Sequence, residues 1–234
     1  MEISPIGEEG KSLNFSFATR AINIDADQEQ IAKYDEYTAK SNPLQYAALA
    51  IAVGLLGLGV YLFVIGHWVW GVVSIIAFLF VFMISRSLGK ATLQKSIAYE
   101  DGLLIPGIIC STNPLQLVAM ADMRSEENQP PIYGCTKFSV AALPLHSLEV
   151  GTRVPCVSLF GMAVKGYRRH FEPRPVSWGY TDPNIIQSAI VAIDTADDVE
   201  ISEWEILEGL ASKMKDLPEK EVVFFNAHLE RIAL

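Results

Sequence analysis

Four cations fall within ten residues in the segment Lys165-Gly166-Tyr167-Arg168-Arg169-His170-Phe171-Glu172-Pro173-Arg174. Lys165, Arg168, Arg169 and Arg174, interleaved with Tyr167, His170 and Phe171, could hold a phosphate ligand. They could equally touch anionic lipid headgroups, at about 1 kcal/mol per cation near a membrane surface. A blander chemistry competes. The run from Asp194 to Glu208 has seven carboxylates and no base, so the two stretches could pair with each other. The sequence leaves these readings open.

Other residues could do chemistry but lack the spacing for it. Cys110, Cys135 and Cys156 lie more than twenty residues apart, and none has a close Cys or His neighbour. A zinc site ordinarily shows a Cys-x₂₋₄-Cys pair, so no metal is expected, and the thiols read as small buried hydrophobes. Their odd number also fits a reduced compartment rather than a secreted disulfide framework. There is no Gly-x-Ser-x-Gly elbow, no P-loop and no dinucleotide fingerprint, so no cofactor is expected. An enzyme would have to assemble its site from scattered residues such as Arg153, His146 and Arg168.

These residues must be held by something, and composition says where. The chain has 234 residues, is half hydrophobic and has a formal net charge of −9. Between Lys40 and Arg86 there is no Asp, Glu, Lys or Arg. A spanning helix needs roughly 20 apolar residues, so this run holds two helices, Leu44–Ile65 and Val69–Ser85. Gly66-His67-Trp68-Val69-Trp70-Gly71 lies between them. Trp68 and Trp70 suit the membrane interface, where an indole ring is apolar on one side and wet at its N–H. Ala50 and Gly54 have the small-xxx-small spacing of close helix contacts. Packing between the two spans is the plainer use and a homo-dimer the sharper one.

Cations flank the run on both sides, Lys33 and Lys40 before it and Arg86, Lys90 and Lys95 after it, and the connecting turn has none. Positive flanks stay in the cytoplasm. The expected localisation is therefore the inner cell membrane, with two spans and both termini cytoplasmic. Residues 91–234 carry nineteen acids against twelve bases, which argues against nucleic acid as a partner.

Three regions follow: an N-terminal arm over 1–43, a membrane hairpin over 44–86 and a soluble domain over 87–234. In the arm, Leu13–Phe17 and Ile22–Asp25 alternate as strands do, and Asp27 with Gln30 marks a helix start. In the domain, Ser96–Glu100 and Leu103–Cys110 read as a hairpin around Asp101-Gly102. Further strands are expected at Leu115–Asp122, Cys135–Leu143 and Arg153–Phe160, with Arg124–Pro131 an exposed loop. Asp182-Pro183 opens one helix and Ser202 with Glu205 another, which Pro218 ends. Glu221–Phe225 is a final strand. The fold class is α+β: a helical hairpin, then a small antiparallel β domain with C-terminal helices. Five closely spaced strands would suit a barrel of the OB or SH3 type.

Two stretches carry a resemblance. Leu148-Glu-Val-Gly-Thr-Arg-Val-Pro-Cys-Val157 and Phe171-Glu-Pro-Arg-Pro-Val-Ser-Trp-Gly-Tyr-Thr-Asp-Pro183 resemble a bacterial membrane-protein family known as a domain of unknown function (3239). The resemblance implies a bacterial cell membrane and no chemistry. On these grounds the chain reads as a membrane-anchored binding or scaffold module that recognises a protein partner or lipid headgroups. The alternative is a membrane-anchored enzyme.

Overall fold

The uncharged run folds as helix. In the computed structural model, which describes residues 22–39, 42–126, 128–194, 202–214 and 219–233, two helices dominate it: α3 (Asn42–Val64) and α4 (Trp68–Glu100). Within them Tyr46–Val64 and Trp68–Ser85 are long and apolar enough to cross a membrane. Only 11% and 17% of these segments is buried. The contacts divide the chain into two units, Asp35–Lys95 and Met1–Tyr34 with Ser96–Leu234.

In the first unit, α3 ends in a Schellman motif. Gly66, at φ 84°, takes the left-handed position that only glycine enters without a steric cost. Its N–H donates to the Phe63 carbonyl, and the His67 N–H donates to the Leu62 carbonyl. The chain thereby reverses into α4. The helices then meet through small residues. A Cβ on Gly71 would lie 2.9 Å from the Phe63 ring and 3.2 Å from the Gly59 carbonyl, and Ser74 Oγ donates to the Leu55 carbonyl at 2.8 Å. Gly54 has nothing within 4 Å of its Cβ position. The helix-to-helix contact is therefore made at Gly59 and Gly71, and not at the expected Ala50–Gly54 pair.

The second unit is the α+β domain. Asp27 caps α1 (Gln28–Tyr34) as expected, its Oδ1 accepting from the N–H groups of Glu29 and Gln30. The reciprocal half of the capping box is replaced: the Asp27 N–H donates to the Gly179 carbonyl, and Gln30 Nε2 donates to the Ser177 carbonyl. Asp35, where the other unit begins, ends the helix and accepts from the Tyr37 N–H at the start of α2 (Glu36–Ala39). Ile22–Asp25 is not a strand. Its Asn23 N–H donates to the Glu100 carbonyl, and the Tyr180 hydroxyl donates to the Ile24 carbonyl. The expected strand at Leu13–Phe17 and the helix stop at Pro218 lie outside the described residues.

The hairpin expected around Asp101-Gly102 is corrected. Ser96–Glu100 is the end of α4, and the Asp101 N–H continues its ladder to the Ile97 carbonyl. Ala98 and Tyr99 are buried there, with Gly179 lying flat against the Tyr99 ring. Tertiary burial, not the local alternation, decides the helix.

Strands follow: β1 (Leu103–Ile105), β2 (Gly107–Thr112), β3 (Leu115–Asp122), β4 (Ile132–Ser139), β5 (Cys156–Phe160), β6 (Ala163–Val164), β7 (Tyr167–Arg168), β8 (Phe171–Pro175), β9 (Val222–Asn226) and β10 (Arg231–Ile232). All pairings are antiparallel, in sheets ordered β10-β9-β4-β3-β2, β1-β5-β8 and β6-β7. Pro106 alone separates β1 from β2, so one chain segment serves two sheets. The hydrogen bonds then return to β3, because the Arg168 N–H donates to the Met123 carbonyl and the Ser125 N–H to the Gly166 carbonyl. Strands β3, β1/β2, β5/β6 and β7/β8 thus form a small ring, with β4, β9 and β10 extending from it. This differs from an OB or SH3 order of five consecutive strands, since β9 joins from the far end of the chain.

Two helices complete the unit. Asp182 caps α5 (Pro183–Asp194) and Ser202 caps α6 (Glu203–Met214) through side-chain bonds to Asn184 N and Trp204 N. Leu207, Leu210 and Met214 of α6 pack on Val118, Met120, Cys135, Val223 and Phe225 of the larger sheet. Each such buried apolar side chain contributes about 1.5–3 kcal/mol of transfer free energy.

Candidate functional site

The ten-residue basic segment becomes the end of a long hairpin. β5 continues through Gly161 and Met162 into β6, and β7 returns through Arg169 and His170 into β8. The Gly161 N–H donates to the His170 carbonyl at 2.8 Å and keeps the two arms together. Lys165 and Gly166 form the tip at φ 55° and 82°. Two left-handed residues in succession give the type I′ turn that matches strand twist. Glycine enters this region freely, whereas Lys165 does so at a cost of roughly 1–2 kcal/mol.

Burial sorts the four cations. Arg168 is buried, its guanidinium 5.3 Å over the Phe160 ring, and its Nη1 donates to the Gly161 carbonyl at 3.3 Å. Burial lowers its pKa from the ordinary guanidinium value. Arg174 is buried too, and its Nη2 lies 2.9 Å from the Glu172 carboxylate two residues earlier on the same strand. Lys165 is exposed at the tip. Arg169 is half-buried and lines an open groove with His170, Glu219, Lys220, Glu221 and Phe224. The segment is therefore two bracing cations and two outward ones, not one surface patch of four.

The tip is braced from below. Besides the two backbone bonds to Met123 and Ser125, the Tyr167 hydroxyl donates to the Pro130 carbonyl at 3.2 Å. Arg124, on the same supporting segment, is held by Asp122 through its Nε at 2.8 Å, and this bond raises the Arg124 pKa. Above this support stand exposed apolar residues that charge counting passes over. Met162 is 89% exposed and Val164 48%.

The acid run does not receive these cations among the described residues. Glu208 pairs with Arg153, whose Nη2 lies 2.9 Å away and whose guanidinium stacks 5.2 Å over Trp204. Positions 195–201 of the run lie outside the described residues. The three residues named for a scattered active site have separate surroundings: Arg153, just before β5, reaches Trp204 and Glu208 of α6, Arg168 lies beneath the hairpin tip, and His146 is in the loop after β4. The described residues contain no group of three His, Cys, Asp or Glu side chains placed to hold a metal. Cys135 and Cys156 are buried free thiols whose pKa burial raises, and Cys110 is a half-buried one.

Trp68 and Trp70 begin α4 directly after the Gly66 turn, each 66% exposed. In the Phe171–Pro183 stretch the residues do structural work. Pro173 and Pro175 sit on β8 at the edge of its sheet, and Trp178 is buried with its Nε1 donating to the Ala142 carbonyl.

The fold and these features define an α+β protein with two membrane-length apolar helices. The chain belongs to the family described as "Protein of unknown function (DUF3239)", which matches residues 90–215. No curated protein matches the chain significantly. A solved structure described as "a putative membrane protein from Corynebacterium diphtheriae" is similar over 53% of this chain and 98% of its own, with 21% identity and a TM-score of 0.43.

Proposed function

We propose that the chain is a membrane-anchored binding module. Tyr46–Val64 and Trp68–Ser85 cross the inner membrane as a hairpin, and the α+β domain recognises lipid headgroups or a protein partner on the cytoplasmic side. The observation that carries the reading is the exposure of these helices. Ile76, Phe80 and Met83 are 61%, 68% and 70% exposed, and a row of large apolar side chains left outside a protein needs a lipid solvent. Cations before and after the run, with none in the turn, support cytoplasmic ends. Trp68 and Trp70 then stand at the opposite interface.

Reporters that are active only in the cytoplasm, fused in turn to each terminus, test this. Both fusions should be active, and a reporter inserted at His67 should be silent. One terminus outside, or a protein released from membranes by alkaline carbonate, would overturn the anchored hairpin.

A further inference from the structure

We infer that the β6–β7 hairpin tip is a bilayer-contact element, with Met162 and Val164 entering the headgroup boundary of an anionic membrane and Lys165 and Arg169 facing its phosphates. The inference rests on the membrane-anchored reading above and names the surface that the α+β domain recognises.

Three observations converge on the tip. Its apolar side chains are outward: Met162, 89% exposed, is the most exposed large hydrophobic among the described residues, with Val164 two positions on. Single exposed hydrophobes are ordinary, but Val164 on β6 and Met162 just before it, beside a lysine, form an amphipathic wedge. Charge comes next. The chain is acidic at −9, whereas Gly161–Arg174 carries four cations against the single carboxylate of Glu172. Glu172 is engaged by the buried Arg174, and the outward members of the set are Lys165 and Arg169. Glu126, exposed next to Ser125, and Glu219 and Glu221, which share the groove of Arg169 with Lys220, subtract from the field. The tip is also preorganised. The left-handed Lys165-Gly166 turn is tied down by Ser125 N to Gly166 O and Arg168 N to Met123 O, with Arg168 filling the space beneath against Phe160. An element ordered beforehand loses little entropy on contact. Apolar residues and cations at one rigid point match a surface of acyl chains beneath phosphates.

The test uses the full chain in lipid nanodiscs, labelled with an environment-sensitive fluorophore at Met162→Cys in a Cys110→Ser background. A second label, at Val191→Cys on α5, is the control. In nanodiscs containing phosphatidylglycerol the Met162 label should shift to the blue and become inaccessible to an aqueous quencher, and the Val191 label should not. Lys165→Gln with Arg169→Gln removes about 2 kcal/mol of surface attraction, so the ratio of membrane-bound to free tip should fall about thirtyfold. Raising salt to 0.5 M should act in the same direction. A Met162 label that stays wet in anionic nanodiscs overturns the inference. So does equal burial in neutral and anionic lipid, or burial only when other membrane proteins are present, which assigns the tip to a protein partner. Each of these results leaves the anchor standing, because carbonate extraction and the terminal reporters judge the anchor separately.

Discussion

Helices α4 and α6 solve one problem in two ways. In α6, Trp204, Leu207, Leu210 and Met214 are fully buried, while Glu205 and Glu208 face water. In the first half of α4, Ile76, Leu79, Phe80 and Met83 are more than half exposed, and the few buried positions include Gly71 and Ser74. The soluble helix hides its large residues and shows its charges. The apolar helix does the reverse, hiding small residues and showing large ones. Burial energy from water drives the first arrangement. In lipid that drive vanishes between helices, and close packing of small residues replaces it. The same chain therefore carries two kinds of core.

Truncation inside the two kinds of core should separate them most strongly. Leu210→Ala empties a site at 0% exposure against the larger sheet and should destabilise the α+β unit by about 2–5 kcal/mol. Phe80→Ala, at 68% exposure, should change that unit by less than about 0.5 kcal/mol. Guanidinium unfolding in detergent, followed by tryptophan emission, measures both. Of the four tryptophans, replacing Trp68 and Trp70 with Phe leaves only Trp178 and Trp204, which lie in the α+β unit. Equal shifts for the two variants would abolish the distinction.

Small residues carry the next effect. Gly71→Leu would press a side chain into the Phe63 ring and the Gly59 carbonyl and should cost the helix pair about 1–3 kcal/mol. Gly54→Leu meets nothing within 4 Å and should leave the pair intact. The yield of a disulfide between L55C and S74C, in a chain with the native cysteines replaced, reads the contact. It should fall in Gly71→Leu and hold in Gly54→Leu. If Gly54→Leu instead removes a cross-linked dimer, the Ala50–Gly54 face belongs to a second copy of the chain.

Sequence made the helical hairpin legible because the signal there is an absence of charge over a long run, and no tertiary contact can mask it. The caps at Asp27, Asp182 and Ser202 were legible because each is completed within three residues. Ser96–Glu100 was misread as a strand because its helix depends on burying Ala98 and Tyr99 beside Gly179, some eighty residues away. β9 was visible as a strand, but its place beside β4 was not. The basic segment was legible as charge and illegible as a site. Strand pairing, which puts Arg168 over Phe160 and Arg174 beside Glu172, divides neighbours in sequence into inward and outward groups. Met162 and Val164 gave no signal as a pair, because exposure belongs to the folded hairpin and not to residue type.

The most gradual effect is a pH dependence confined to the α+β unit. His146 Nε2 is buried and has no hydrogen-bond partner among the described residues. Burial pushes its pKa down from 6.5 to about 4, since the imidazolium would lose water without gaining a partner. Above pH 6.5 the ring is neutral in both folded and unfolded chains and contributes no slope. Between 6.5 and about 4 the unfolded chain takes up a proton that the folded chain refuses, so stability falls as the pH falls. The slope from one proton is at most about 1.4 kcal/mol per pH unit. Below about 4 both states hold the proton and the loss stops growing. Carboxylates titrate in the lower part of this window, so the comparison is with His146→Gln. That variant should unfold with a shallower pH dependence between 6.5 and 5, where His146 dominates, and match the wild-type slope above 7. The Trp178 and Trp204 signals should report the change, while the L55C–S74C cross-link should not move with pH. A wild-type slope unchanged by His146→Gln would mean that the imidazole finds a partner when folded.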